Sequence, residues 1–223
     1  VDSIAPVSES FNLEADDAFF GTPSIGSSFH EFITERKQTP MSDITPAVYF
    51  AEVVPQRFAA AVAGASEEVL AQPELTVTYT IEGEGDQGGV FGLKVSGGSI
   101  EFVDGGIENA DLQLVMTYDN WRSVAEGDAV EPFIDYFLRR KVEIVKNLRG
   151  TVKLELTRSD ESLFESVSIF GGQSEPSVTL RMTTDDYRQM LSGELNGQMA
   201  FMTGKLRFEG SLPLLMQIGA LSG

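Results

Sequence analysis

"LQLVMTYDNWRSVAEG" (residues 112–127) and "VTLRMTTDDYRQMLSG" (residues 178–193) align without a gap and keep Met, Thr, Asp, an aromatic, Arg and Gly in register. Each opens on alternating apolar and polar residues, the period of a half-buried strand, then passes at Thr117 or Thr183 into apolar residues at helical spacing. A strand-to-helix step used twice implies an internal duplication. The match resumes, after a longer insert in the first copy, as "LRGTVKLEL" (148–156) against "MTGKLRFEG" (202–210), with Gly150 opposite Gly204.

Working outward from the repeat, "ELTVTYTIEG", "GVFGLKV", "SIEFV" and "DLQLVMT" alternate apolar and polar residues between Gly-rich turns, which predicts an antiparallel sheet. Further strands are predicted near 150–157, 164–170, 177–182 and 204–209. Val54, Phe58, Ala61 and Val62 fall at helical spacing, with Pro55 either opening that helix or kinking a longer one. Other helices are expected at 67–71, 119–126, 132–146, 185–192, 196–202 and 212–220. Residues 1–44, with "FFGTPSIGSSFHEF" and no sustained period, read as a partly irregular N-terminal extension, and 45–223 as the folded domain.

Composition narrows the function. The 223 residues are 42% apolar, enough for a substantial core, and carry a formal net charge of −18. That charge repels phosphate backbones and anionic lipid surfaces, so no nucleic-acid partner is expected. With no cysteine there is neither a disulfide framework nor a thiolate metal site, which fits a reducing compartment; the cytoplasm is the expectation. No run approaches the roughly 20 apolar residues of a membrane-spanning helix, so stable membrane insertion is not expected.

Catalytic patterns are weak. The literal G-x-G-x-x-G at Gly83–Gly88 follows a strand but precedes another strand, and Glu84 and Asp86 would repel an anion, so it reads as a hairpin turn. His30 is the only histidine and sits in the extension, which leaves histidine-based general base chemistry hard to assemble. Asp185 and Asp186, with Asp119 and Asn120 in the other copy, lie where a helix begins; there such residues cap free N–H groups and meet the positive end of the helix dipole. Arg122 and Arg188 are their expected surface partners. Arg139, Arg140 and Lys141 are the one concentrated positive charge, read either as the solvated side of an amphipathic helix or as a docking surface for an anionic head group. No metal, cofactor or catalytic set is expected.

The end of the chain is rich in soft apolar side chains: Met190, Leu191, Met199, Phe201 and Met202, then Leu214, Leu215 and Ile218. Methionine adapts to irregular ligands and also fills ordinary cores, so composition leaves both readings open.

At this point the residues resemble a known family, the sterol carrier protein type 2 domain. The front of that pattern is similar to "VPQRFAAAVAG", "VTYTIEG" and "GVFGLKVSGGSIEFVDGGIENADLQLVMTYDNWRSVAEG". The back is similar to "PSVTLRMTTDDYRQMLSGELNGQMAFMTGKLRFEGSLPLLMQIGAL", with its G-x-L-N turn, A-F-M-x-G-K-L step and Met-bearing terminal helix. The departure is that residues 128 to about 192 intervene between the front half and that turn.

The resemblance implies an α+β fold, a curved mostly antiparallel sheet covered by helices, with a partial duplicated unit: a first copy over about 45–157 and a second over about 150–221. It also implies an apolar tunnel that takes a sterol, fatty acyl chain or phospholipid without covalent chemistry. The expected wall is Met190, Leu191, Met199, Phe201, Met202, Leu214, Leu215 and Ile218, with Trp121 and Tyr187 as equivalent aromatics of the two copies. The alternative is an interaction module with a filled core that partners an enzyme of lipid or polyketide metabolism. A protein partner or a second copy of the chain is compatible with either.

Overall fold

The computed structural model describes residues 44–126 and 131–222; His30 and the expected extension, Ile44 apart, lie outside them. Two hairpin-led strand sets merge into one eight-stranded sheet of order β3-β2-β1-β4-β6-β5-β7-β8. The strands are β1 (Leu75–Glu82), β2 (Gly89–Ser96), β3 (Ser99–Asp104), β4 (Leu112–Thr117), β5 (Gly150–Thr157), β6 (Leu163–Phe170), β7 (Ser177–Thr183) and β8 (Arg207–Gly210). The fold is α+β, a mostly antiparallel sheet with two parallel pairs, β1 with β4 and β5 with β7.

The helices are α1 (Pro46–Val48), α2 (Val54–Val62), α3 (Glu67–Leu70), α4 (Tyr118–Ala125), α5 (Pro132–Leu138), α6 (Val142–Asn147), α7 (Thr184–Ser192), α8 (Gly197–Met202) and α9 (Leu212–Ser222). A π turn, Tyr49–Val53, joins α1 to α2, and the Val54 N–H reaches back to the Tyr49 carbonyl. Pro55, which lacks a donor, therefore sits in the first turn of α2. The single helix expected over 132–146 is two. Arg140 adopts a left-handed conformation (φ 59), while the Arg140 and Lys141 N–H groups bond the carbonyls of Phe137 and Tyr136. This is a Schellman stop made without glycine. Arg139 and Arg140 pair with Asp135 and Glu68 at 2.8 and 2.7 Å, so the basic cluster is a salt-bridged turn.

Gly83 to Gly88 connect the antiparallel strands β1 and β2, as a hairpin requires. A Cβ at Gly88 would lie 2.3 Å from the Gly83 carbonyl oxygen and one at Gly83 2.5 Å from that of Gln87, so the glycines serve backbone approach.

The aligned segments occupy matching places. β4 runs parallel to β1 and feeds α4; β7 runs parallel to β5 and feeds α7. Thr117 caps α4 by accepting from the Asn120 N–H, and Thr183 caps α7 by accepting from the Asp186 N–H. The continuation differs. β5 holds the place of β1, between its hairpin partner and its parallel partner, whereas β8 lies antiparallel beside β7 at the sheet edge. By sheet partners, then, residues 148–156 match β1 rather than 202–210.

Candidate functional site

The two halves of the sheet can be compared row by row because their ladders match. In the first, Val77 lies opposite Leu112 and Leu93, and Tyr79 opposite Leu114 and Phe91. In the second, Val152 lies opposite Val178 and Ser168, and Leu154 opposite Leu180 and Ser166. Directly opposed residues share one sheet face. The β4–β6 ladder places Leu114 opposite Ser168, so this face is continuous across the sheet.

Coverage of that face is unequal. Val77 and Leu93 are fully buried, and Tyr79, Phe91, Leu112 and Leu114 are at most 4% exposed. In the second half Val178 is buried, but Val152, Leu154, Leu180 and Ser168 are only partly covered. The principal core ends near Phe170, Val178 and Leu214, with Val152, Leu180, Leu215 and Ile218 packed on its margin. A second, smaller core of Leu156, Met182, Ala200 and Leu206 has Leu154, Leu180, Tyr187 and Met190 on its margin. Leu180 touches both. The candidate site is this partly covered apolar strip between two cores.

Two tyrosines flank the division, Tyr136 of α5 on the principal core and Tyr187 of α7 on the smaller one. Burial pushes both phenols up, and the Tyr187 side chain adds to the effect on Tyr136. Both phenols therefore remain neutral at physiological pH.

The ten residues expected from the sequence do not form one wall. Trp121 is buried in the principal core, its ring 5.5 Å from Tyr49 and 5.4 Å from Tyr118. Leu214, Leu215 and Ile218 join that core, while Tyr187 and Met190 border the smaller one. Leu191, Met199, Phe201 and Met202 are exposed by 54, 48, 55 and 71%. Asn196 caps α8 by accepting from the Met199 N–H, and the short helix turns Ala200 inward, leaving Met199, Phe201 and Met202 outward. Phe201 rests on Phe208 with ring centroids 5.6 Å apart.

Sequence reasoning also missed a buried polar group beside Trp121. The Tyr49 hydroxyl donates to Glu131 Oε1, and Arg57 Nη1 donates to the Tyr49 oxygen at 3.1 Å while lying 3.8 Å from the carboxylate. Burial, then the nearby Glu131 charge, pushes the Tyr49 phenol far up. Glu131 Oε2, Tyr79 Oη and Trp121 Nε1 are buried with no hydrogen-bond partner among the described residues. The acids at the start of α7 are engaged: Asp186 with Lys205 at 2.7 Å and Asp185 with Arg188 at 2.9 Å. Arg122 pairs with Glu126 and bonds the Tyr118 hydroxyl. Among the described residues no group of three or more acidic or histidine side chains could hold a metal ion, and no helix is long and apolar enough to cross a membrane.

Comparison with known proteins gives this geometry a family context. Human hydroxysteroid dehydrogenase-like protein 2 is 44% identical over 87 residues, covering 35% of this chain and 21% of that protein. Peroxisomal multifunctional enzyme A of Dictyostelium discoideum is 36% identical over 56 residues, 25% of this chain and 13% of that protein. The chain thus matches about a fifth or less of the length of these relatives. Among solved structures, sterol carrier protein domain 2 of Helicoverpa armigera is 23% identical and covers 40% of this chain and 78% of its own, with a TM-score of 0.32. The SCP-2 sterol transfer family model matches residues 134–222, from within α5 to the end of α9, so that segment is similar to that family.

Proposed function

We propose that the chain binds, and carries between partners, one apolar ligand such as a sterol, fatty acyl chain or phospholipid, held on the strip around Val152, Leu154 and Leu180. The observation that carries the reading is the unequal coverage of two equivalent strand sets: the same face is closed at Val77, Tyr79 and Leu114 and partly open at Val152, Leu154 and Leu180. The open half lies inside the segment that matches the sterol transfer family. Burying an acyl chain yields about 0.8 kcal/mol per methylene before ordering costs, so affinity does not require a charged anchor. The residues described form a binder and not a catalyst, working in an aqueous compartment for which the cytoplasm is our choice.

The same comparison supports a duplication. In place of the copies expected over about 45–157 and 150–221, we read residues 46–126 as one strand-and-helix unit and residues 131–222 as the other, with α5 and α6 opening the second, because β5 takes the place of β1 and the family match begins within α5. Residues 1–44 are the proposed extension.

The test is native mass spectrometry of the freshly purified protein, followed by organic extraction. A co-purifying lipid at one per chain is the expected result. A clean apo mass, with no thermal shift on adding sterols or fatty acids, overturns the carrier reading. That outcome would favour an accessory module serving an enzyme, a reading supported by relatives of which the matched portion is only 13 to 21%.

A further inference from the structure

The strip is apolar except at two positions on β6. Phe164, Ser166, Ser168 and Phe170 alternate onto the helix-covered face, and the middle two are serines. Their counterparts on β2, matched through the ladder partners Tyr79 with Leu154 and Val77 with Val152, are Phe91 and Leu93. Phe91 is 4% exposed and Leu93 fully buried, so in the first half large side chains fill the space over the strands. In the second half, hydroxymethyl groups stand in their place.

A hydroxyl on an otherwise apolar face can bond a polar atom of whatever covers that face, and gains from it once water is excluded. Ser166 is 9% exposed and Ser168 partly covered; among the described residues neither takes part in a side-chain hydrogen bond, and neither hydroxyl is among the fully buried atoms that lack a partner, so both are reachable from outside. The ladder consumes only backbone groups, so both hydroxyls are available to whatever occupies the strip.

Resting on the carrier reading above, we propose that Ser166 and Ser168 are the specificity-determining residues of the site. They select an amphiphile whose apolar body lies on Val152, Leu154 and Leu180 and whose hydroxyl, carbonyl or carboxyl oxygen bonds the two serine hydroxyls. The first half takes no ligand because Phe91 and Leu93 occupy the equivalent volume. One chain therefore holds one amphiphile, and a hydrocarbon of the same length without the oxygen binds more weakly.

The experiment compares 1-dodecanol with 1-chlorododecane as displacers of 1-anilinonaphthalene-8-sulfonate from the full chain. Wild type is expected to prefer the alcohol. In the double variant S166A/S168A that preference falls roughly tenfold, the worth of about one neutral hydrogen bond, while the chloroalkane affinity holds. The variant S166F/S168L, which copies the first half, loses both ligands with its melting temperature maintained or raised.

An unchanged alcohol preference in S166A/S168A overturns the role of the serines, whether or not the larger variant folds, and leaves the carrier reading standing. Full binding by a folded S166F/S168L moves the ligand off this strip and overturns the proposal and its site together. No displacement by either compound in the wild type overturns the carrier reading itself.

Discussion

Leu154 lies opposite Ser166 across the β5–β6 ladder, in the place where Tyr79 lies opposite Phe91 across β1–β2. One ladder geometry thus supports two packing outcomes, and truncation separates them. Leu93→Ala, at a fully buried site, is expected to lower unfolding stability by about 2–5 kcal/mol. Leu154→Ala, at a partly covered site, should cost less, about 1–2 kcal/mol, because part of its surface already meets solvent. Urea midpoints of the two variants check this; equal losses would mean that the second half is as closed as the first.

The exposed methionines make the converse case. Met202→Ser is expected to change stability by less than about 0.5 kcal/mol, since the side chain is 71% exposed. Ala200→Leu, two residues away at a fully buried position, should overpack the smaller core by about 1–3 kcal/mol. Thermal melts of the pair separate a surface helix from a core one.

Much of this was legible in the sequence, and the limits have a physical cause. Strand alternation and the Thr-capped repeat locate β4–α4 and β7–α7, because burial of one sheet face and satisfaction of free helix N–H groups act locally. Which strand neighbours which is non-local, and so β5 and β8 aligned in sequence yet hold different places in the sheet. The site residues suffered in the same way. Met199, Phe201 and Met202 look like a wall by composition, but the direction of a six-residue helix is set by its cap at Asn196 and by Ala200. Ser166 and Ser168 become notable only when the ladder sets them beside Leu154 and Val152.

The buried Tyr49–Arg57–Glu131 group should be strongly coupled. Glu131→Ala leaves the Tyr49 hydroxyl without its acceptor and the Arg57 guanidinium without its ion-pair partner, and is expected to cost about 3–5 kcal/mol. Tyr49→Phe should cost about 1–3 kcal/mol. In a double-mutant cycle the two losses are expected to be clearly non-additive, and additive losses would mean that the contact contributes nothing of its own.

Acid should loosen the junction between β1 and α6. Burial alone would raise the Asp111 carboxyl, but the Thr76 N–H at 2.9 Å, the Thr76 hydroxyl at 2.8 Å and the Lys146 ammonium at 3.0 Å hold it below the ordinary value. A carboxyl whose folded-state value lies below its unfolded one stabilises the fold fully above the unfolded value, near 3.9, and loses that contribution as pH falls through the folded value. Wild type and Asp111→Asn should therefore differ most at neutral pH, with the asparagine variant the less stable, and the gap should narrow as pH falls below the ordinary carboxylate value. Urea midpoints at pH 7 and pH 3 test this. A stability gap that stays constant between the two would show that Asp111 acts through packing and not through its charge.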